Sequence, residues 1–184
     1  MIDSRLIKAV KEQDKGAFRK MYQACIGYVY SIVIRYVSNE SDHKDVIQEI
    51  FARLFLSIGS YEPSIGGFKP WLRRLVINQC LQHNRQRRLP AMMVPLEHTG
   101  ETDNELEEKL GKLTKKNIEN LLKQMPEGFR QVFMMVAIDD YSHKEVGEML
   151  GISTGTSRSQ YARAKQWLKS NLSQNKLNRL ANEI

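Results

Sequence analysis

In the stretch SDHKDVIQEIFARLFLSI, Val46, Ile50, Leu54 and Ile58 recur at helical spacing on one face, while Asp42, Asp45, Glu49 and Arg53 occupy another. This pattern predicts an amphipathic helix. Ahead of it, Asp14 is placed as N-cap of a long helix through AFRKMYQACIGYVYSIVIRYV that stops near Ser38 and Asn39. After it, GSYEPSIGGF breaks the periodicity with one Pro and three Gly, and Pro70 suits the first turn of a further helix, KPWLRRLVINQCLQHNRQRRL. No segment alternates convincingly with period two, so the predicted fold class is all-α.

Toward the C-terminus a helix around Ile118 to Gln124 must stop before Pro126, and EGFRQVFMMVAI supplies another. Asp139-Asp140-Tyr141 turns the chain. Ser142 and Glu145 have capping-box spacing at the start of a short helix that ends at Gly151, and Ser153 is the expected cap of a last long helix. Ser142 to Leu168 therefore has the punctuation of a helix-turn-helix. Between the two helical parts, AMMVPLEHTGETDNELEEKLGKLTKKN lacks sustained periodicity and suits a flexible acidic linker with a helical turn near Glu105 to Leu113. The expected organisation is a small helical domain over 1–90, a linker over 91–117 and a second small helical domain over 118–184.

At 184 residues, with 41% hydrophobic and 8% aromatic side chains, the chain has room for one ordinary domain or two small ones with buried cores. The formal charge of +7 favours an anionic partner, nucleic acid or membrane surface. Its distribution narrows the choice: residues 1–90 hold 15 basic and 8 acidic side chains, 91–117 hold 4 and 6, and 118–184 hold 9 and 7. Cys25 and Cys80 lie in apolar helical patterns without CxxC spacing, which predicts buried free thiols in a reducing compartment. The charged start and the lack of a long apolar run predict a cytoplasmic protein with no membrane insertion. No phosphate-binding GxxxxGK[ST] loop and no metal-ligand spacing is found, so neither a cofactor nor a metal is expected.

From Met149 to Asn182 there is no acidic residue. On the last helix, Ser157, Tyr161, Ala164 and Leu168 would face inward, leaving Thr154, Arg158, Ser159, Ala162, Arg163 and Gln166 outward. Arg can bond a guanine edge through two donors, and hydroxyls at a helix N-terminus suit base edges and phosphates; the bland reading is a solvated basic helix end. A second acid-free region spans residues 68–88, with Lys69, Arg73, Arg74, Arg85, Arg87 and Arg88. Tyr61, Phe68 and Trp71 stand at its entrance beside the Gly-rich loop, and Arg74, Asn78, Gln82 and Arg85 form a polar stripe. Aromatics beside a positive groove hold single-stranded nucleic acid, although core packing explains these rings equally well. Asp45, Gln48 and Glu49 make an acidic face that would repel DNA and could dock a basic protein partner.

Taken together, the segments DKGAFRKMYQACIGYVYSIVIRYVSNESDHKDVIQEIFARLF, GFKPWLRRLVINQC and MPEGFRQVFMMVAIDDYSHKEVGEMLGISTGTSRSQYARAKQWL resemble the extracytoplasmic-function sigma factors, the smallest type of bacterial RNA polymerase sigma subunit. The resemblance covers nearly the whole chain. Its most specific parts are the run Asp45 to Phe51, Trp71-Leu72 with Asn78, and Gly151-Ile152-Ser153 followed by Gly155-Thr156. It implies a non-enzymatic protein whose first domain docks Asp45, Gln48 and Glu49 on core RNA polymerase. That domain would engage the −10 element of promoter DNA through Tyr61, Phe68, Trp71, Arg74, Asn78 and Arg85. The second domain would read the −35 element through Ser153, Thr154, Thr156, Arg158, Ser159 and Arg163, and an anti-sigma factor is an expected further partner. Two positions depart from the family pattern: Ser157 stands where an aliphatic residue is frequent, and Ile77 where a basic residue often precedes the Asn.

Two other classes remain open to a chain of this pattern. A helix-turn-helix transcriptional regulator that is not a polymerase subunit would share the C-terminal motif, but a response regulator would need alternating strands and helices ahead of it. An enzyme would need a nucleophile-base arrangement that His43, His83, His98 and His143, scattered among polar surroundings, do not offer.

Overall fold

The computed structural model describes residues 2–86 and 103–172. Every regular element among them is helical, and the chain divides into two compact units, Met1–Arg88 and Leu89–Ile184.

The first unit holds α1 (Ser4–Lys11), α2 (Lys15–Tyr36), α3 (His43–Ser57) and α4 (Phe68–Gln86). Asp3 caps α1 by accepting from the Leu6 amide at 2.8 Å, and Asp14 caps α2 by accepting from the Ala17 amide, so the local signals set both starts. α2, α3 and α4 pack on one another and α1 lies along α2. Met21, Cys25, Val29, Ile32 and Val33 of α2 meet Val46, Ile50 and Leu54 of α3 and Leu72, Val76, Ile77 and Cys80 of α4, all essentially without solvent exposure. Burying each such aliphatic side chain contributes about 1.5–3 kcal/mol, far more than any single polar contact here. Both thiols are free and sit in this apolar setting; burial pushes Cys25 up to about 11 and Cys80 up to about 12.

The end of α2 leaves carbonyls that its own helix cannot satisfy. Asn84 of α4 donates to the Tyr36 carbonyl at 2.9 Å, and the His43 ring bonds the Val37 carbonyl at 2.9 Å. All three helices are thereby tied at one end. Asp42, which the sequence pattern puts on the polar face of α3, is buried instead at 6% exposure: it precedes the helix proper and meets His83 Nε2 at 3.2 Å. The polar groups around His43 and His83 are thus structural partners; His98 lies outside the described residues.

The second unit holds α5 (Asp103–Gly111), α6 (Lys115–Gln124), α7 (Glu127–Phe133), α8 (His143–Leu150) and α9 (Thr154–Leu172). EGFRQVFMMVAI, read as one helix, is α-helical only to Phe133 and then widens into a π-helical turn, Met134–Ile138, closed by the Asp139 amide on the Met134 carbonyl at 3.0 Å. The span read as linker also holds a packed element. Leu106 of α5 is buried in the cluster of Leu121, Met125, Phe133, Ala164, Trp167, Leu168 and Leu172. Asp103 at the start of α5 accepts from Lys165 and, at 2.9 Å, from Lys169 of α9, which holds its carboxyl down at about 2. An exposed ion pair contributes at most about 1 kcal/mol against about 1.5–3 for Leu106, so the leucine anchors α5 and the carboxylate orients it.

Candidate functional site

In the first unit the α3 and α4 surfaces differ in charge. Asp45, Gln48 and Glu49 are all exposed on α3, opposite Val46 and Ile50. Glu49 also accepts a hydrogen bond from Gln79 of α4 at 2.9 Å, so this part of the acidic face is braced by the neighbouring helix. On α4, Arg74, Asn78, Gln82 and Arg85 are exposed at successive turns, and the buried side carries Leu72, Val76, Ile77 and Leu81. Ile77, the departure noted beside Asn78, is fully buried, so a cation at that position would lie in the core.

The stripe begins at an aromatic cluster. Tyr61, Phe68 and Trp71 have ring centroids 5.4–5.7 Å apart in edge and tilted arrangements. Tyr61 is buried at 5% exposure, with its hydroxyl donating to the Gly66 carbonyl at 3.1 Å, and its ring is no open platform for a base. Phe68 and Trp71, both in the first turn of α4, are half-buried. Lys69 is turned away onto the Tyr28 ring, 5.2 Å from its centroid.

In the second unit the helix-turn-helix is built by local chemistry. Ser142 Oγ accepts from the Glu145 amide at 3.3 Å while Glu145 accepts from the Ser142 amide at 2.9 Å, a complete capping box at the start of α8. Gly151 ends α8 at φ 68°, the left-handed conformation that glycine adopts without penalty. The turn then brings chain against chain: a Cβ on Gly147 would stand 2.7 Å from the Ile152 carbonyl oxygen. Ser153 Oγ accepts from the Thr156 amide at 2.9 Å and pairs with the Thr156 hydroxyl at 2.8 Å. The Ser153 hydroxyl caps α9, and the Thr156 hydroxyl is engaged with it. Arg158, Ser159, Ala162 and Arg163 are exposed and Thr154 half-buried, on the side opposite buried Ser157, Ala164 and Leu168.

Several partners had no signal in the sequence. His143 Nδ1 lies 2.9 Å from Ser157 Oγ, joining the first residue of α8 to α9, and the Tyr161 ring stacks on Phe133 at 5.9 Å. Lys165 and Lys169 are engaged by Asp103. Lys11 reaches the Tyr61 carbonyl at 2.6 Å. Among the described residues no group of three or more His, Cys, Asp or Glu could hold a metal, and no helix is long and apolar enough to cross a membrane.

Comparison with known proteins bears on the whole arrangement. Residues 21–89 match the Sigma-70 region 2 family and residues 115–168 the Sigma-70 region 4 family, which together span most of the chain. Over 184 residues the chain is 27% identical to the ECF RNA polymerase sigma factor SigW of Bacillus subtilis, covering 94% of this chain and 97% of that protein. It is 26% identical to the ECF RNA polymerase sigma-E factor of Escherichia coli K12, covering 90% and 92%. The ECF RNA polymerase sigma factor SigE of Mycolicibacterium smegmatis is 32% identical over 77% of this chain, which spans 56% of that longer relative. In fold, the chain is similar to the sigma factor RpoE in its complex with the anti-sigma factor NepR from Bartonella quintana, with TM-score 0.56 at 16% identity over 85% of this chain and 97% of that one. It is likewise similar to CnrH in complex with the cytosolic domain of CnrY, with TM-score 0.53 at 21% identity over 91% and 94%. With a region 2 unit and a region 4 unit in family order, the chain belongs to the extracytoplasmic-function RNA polymerase sigma factors.

Proposed function

We propose that this chain directs promoter-specific transcription initiation in the bacterial cytoplasm by joining core RNA polymerase and engaging two promoter elements at once. The observation that carries the reading is the separation of charge within the first unit, where the exposed carboxylates Asp45 and Glu49, with Gln48 beside them on α3, and an acid-free exposed stripe on α4 suit two partners of opposite sign. Asp45, Gln48 and Glu49 form the polymerase dock, and charge complementarity there sets partner choice. Arg74, Asn78 and Arg85 track the −10 element, with Trp71 and Phe68 beside the unpaired strand and Tyr61 supporting them from beneath. In the second unit Arg158, Ser159 and Arg163 face the −35 element, with Ser153, Thr154 and Thr156 shaping the N-terminal end of the helix that enters the groove. Domains over 1–90 and 118–184 act as two tethered modules, and tethering raises the effective concentration of each at a promoter once the other is bound.

Promoter opening follows from capture of bases that have left the stack, at a cost of a few kcal/mol that the α4 contacts and the polymerase offset. CnrH and RpoE, two of the solved structures similar in fold, are in complex with the cytosolic domain of CnrY and with the anti-sigma factor NepR, and a protein of that class is the regulator proposed for this chain. Run-off transcription with purified core polymerase on genomic fragments tests the reading. Discrete transcripts that require the chain are expected. DNA binding with no capacity to program core polymerase would instead point to a helix-turn-helix regulator.

A further inference from the structure

α1 buries Ile7 and Val10 and brings its last residue, Lys11, against the loop that precedes α4. The Lys11 ammonium donates to the Tyr61 carbonyl at 2.6 Å and lies 5.9 Å from the centroid of the Tyr61 ring. A charge-assisted bond of this length is among the stronger polar contacts a side chain makes with backbone. Tyr61 is itself buried at the base of the loop. Its hydroxyl donates to the Gly66 carbonyl at 3.1 Å, the Ile65 amide donates to the Glu62 carbonyl at 3.1 Å, and its ring touches both Phe68 and Trp71. Ile65 at the tip is 84% exposed, so the loop is held from its base and not by burial of its tip. Beside Lys11, α1 and the loop line an open cavity of about 460 Å³ whose walls include Ile7, Lys8, Pro63 and Phe68. Lys11 is one of the residues that line it, beside the packed base of the loop.

We propose that Lys11 is a positioning residue for promoter opening. By holding the Tyr61 carbonyl it fixes where residues 62–67 stand relative to Trp71 and Asn78, and so which unpaired base of the −10 element the loop admits. This rests on the reading of the loop and α4 as the −10 module. The loop is short, Gly-rich and exposed, so its orientation is set by a few anchors, and removal of one charged anchor changes the geometry a base meets without touching the α2–α3–α4 core.

The test uses the full chain, as wild type, Lys11→Met and Lys11→Arg, assembled with core polymerase on promoters carrying each base at each −10 position. Opening is read by permanganate reactivity, and hydrogen exchange of the Glu62 amide and the amides of residues 64–67 is measured in the free chain. Lys11→Met is expected to reduce discrimination at one −10 position by about fivefold and to speed exchange of the loop amides. Polymerase affinity and −35 preference are expected to stay as in wild type. Lys11→Arg, which keeps a charged donor, is expected to retain discrimination. Wild-type discrimination in Lys11→Met, unchanged loop exchange, or a loss spread evenly over every −10 variant in step with polymerase affinity would each overturn the positioning role. Asn78→Ala measured alongside separates the two readings: if it impairs opening while Lys11→Met does not, the positioning role alone has failed, and if neither has an effect the −10 assignment itself has failed.

Discussion

His143 Nδ1 and Ser157 Oγ lie 2.9 Å apart across the corner of the helix-turn-helix, with Ser157 fully buried. The pair accounts for a hydroxyl at a position where the family often has an aliphatic side chain. A buried hydroxyl is tolerated only with a partner, and the first residue of α8 supplies it. Ser157→Ala is expected to cost about 1 kcal/mol of stability, and a double-mutant cycle with His143→Ala is expected to show coupling of about 0.5–1.5 kcal/mol. Urea unfolding followed by Trp167 fluorescence in a Trp71→Phe background measures both; strictly additive losses would mean the contact contributes nothing.

Gly147→Val is expected to destabilise the second unit by about 1–3 kcal/mol or more, because its first side-chain atom would come within 2.7 Å of the Ile152 carbonyl oxygen, a backbone atom that cannot swing aside. Thermal unfolding of the chain and binding of −35 DNA should fall together. A variant with wild-type melting would show that the turn can open to admit the side chain.

The helix ends were legible because their chemistry is local. Asp14, Ser142 with Glu145 and Gly151 each act within one turn of their own position, and all three stand where their residue types predict. The apolar face of α3 was legible for the same reason, since Val46, Ile50, Leu54 and Ile58 follow one period. Asp42 was not, because the helix begins one residue after it and its partner His83 is supplied by α4. The same limit hid the Asn84 bond to Tyr36, the Lys11 bond to Tyr61 and the docking of α5 on α9, which join positions about 50 to 60 residues apart by tertiary geometry alone. Of the site, the exposed members Asp45, Gln48, Glu49, Arg74, Asn78, Arg85, Arg158 and Arg163 follow from periodicity. The burial of Tyr61 does not, and the capping by Ser153 follows instead from its residue type just ahead of the last helix.

Asp103 changes what Lys169 is expected to do. A lysine at the far end of a recognition helix suits a phosphate, but here it is 2.9 Å from the Asp103 carboxylate and 12% exposed. Lys169→Ala should therefore leave the salt dependence of −35 binding nearly unchanged and loosen α5. Asp103→Ala should release Lys165 and Lys169, and each cation that then reaches a phosphate steepens the dependence of log K on log salt by about 0.9. Titration of labelled −35 DNA at several salt concentrations checks both. The carboxyl sits at about 2, below its unfolded value, so its contribution is complete above about pH 4 and is lost as pH falls through 2. The loosening should accordingly be the same at pH 5 and pH 8.

Arg158→Ala is expected to relax base preference at one or two positions of the −35 element, with a loss of about 1–3 kcal/mol confined to the preferred base pair. Arg158 is exposed in the second turn of α9, opposite Ala164 and Leu168, and no described acidic side chain holds it in an ion pair. A panel of single-base variants bound by holoenzyme reads the result. Uniform weakening across the panel would make Arg158 a phosphate contact and leave Thr154 and Ser159 as the readers of sequence, since the Thr156 hydroxyl is engaged by Ser153.

The division of the first unit into an acidic polymerase face and a basic promoter face is tested most directly by the affinity of the chain for core RNA polymerase, measured for wild type, Asp45→Lys with Glu49→Lys, Gln79→Ala and Asn78→Ala. All four substituted side chains lie at or near the surface, so each variant should fold. Gln79→Ala removes the Glu49 hydrogen bond without reversing any charge and so isolates the structural part of the double change. The account predicts that the double Lys variant loses core binding by at least about 100-fold, because reversed charges meet repulsion where complementary ones met attraction, while Gln79→Ala and Asn78→Ala bind core polymerase as wild type does. Wild-type affinity of the Asp45→Lys, Glu49→Lys chain for core polymerase would contradict it.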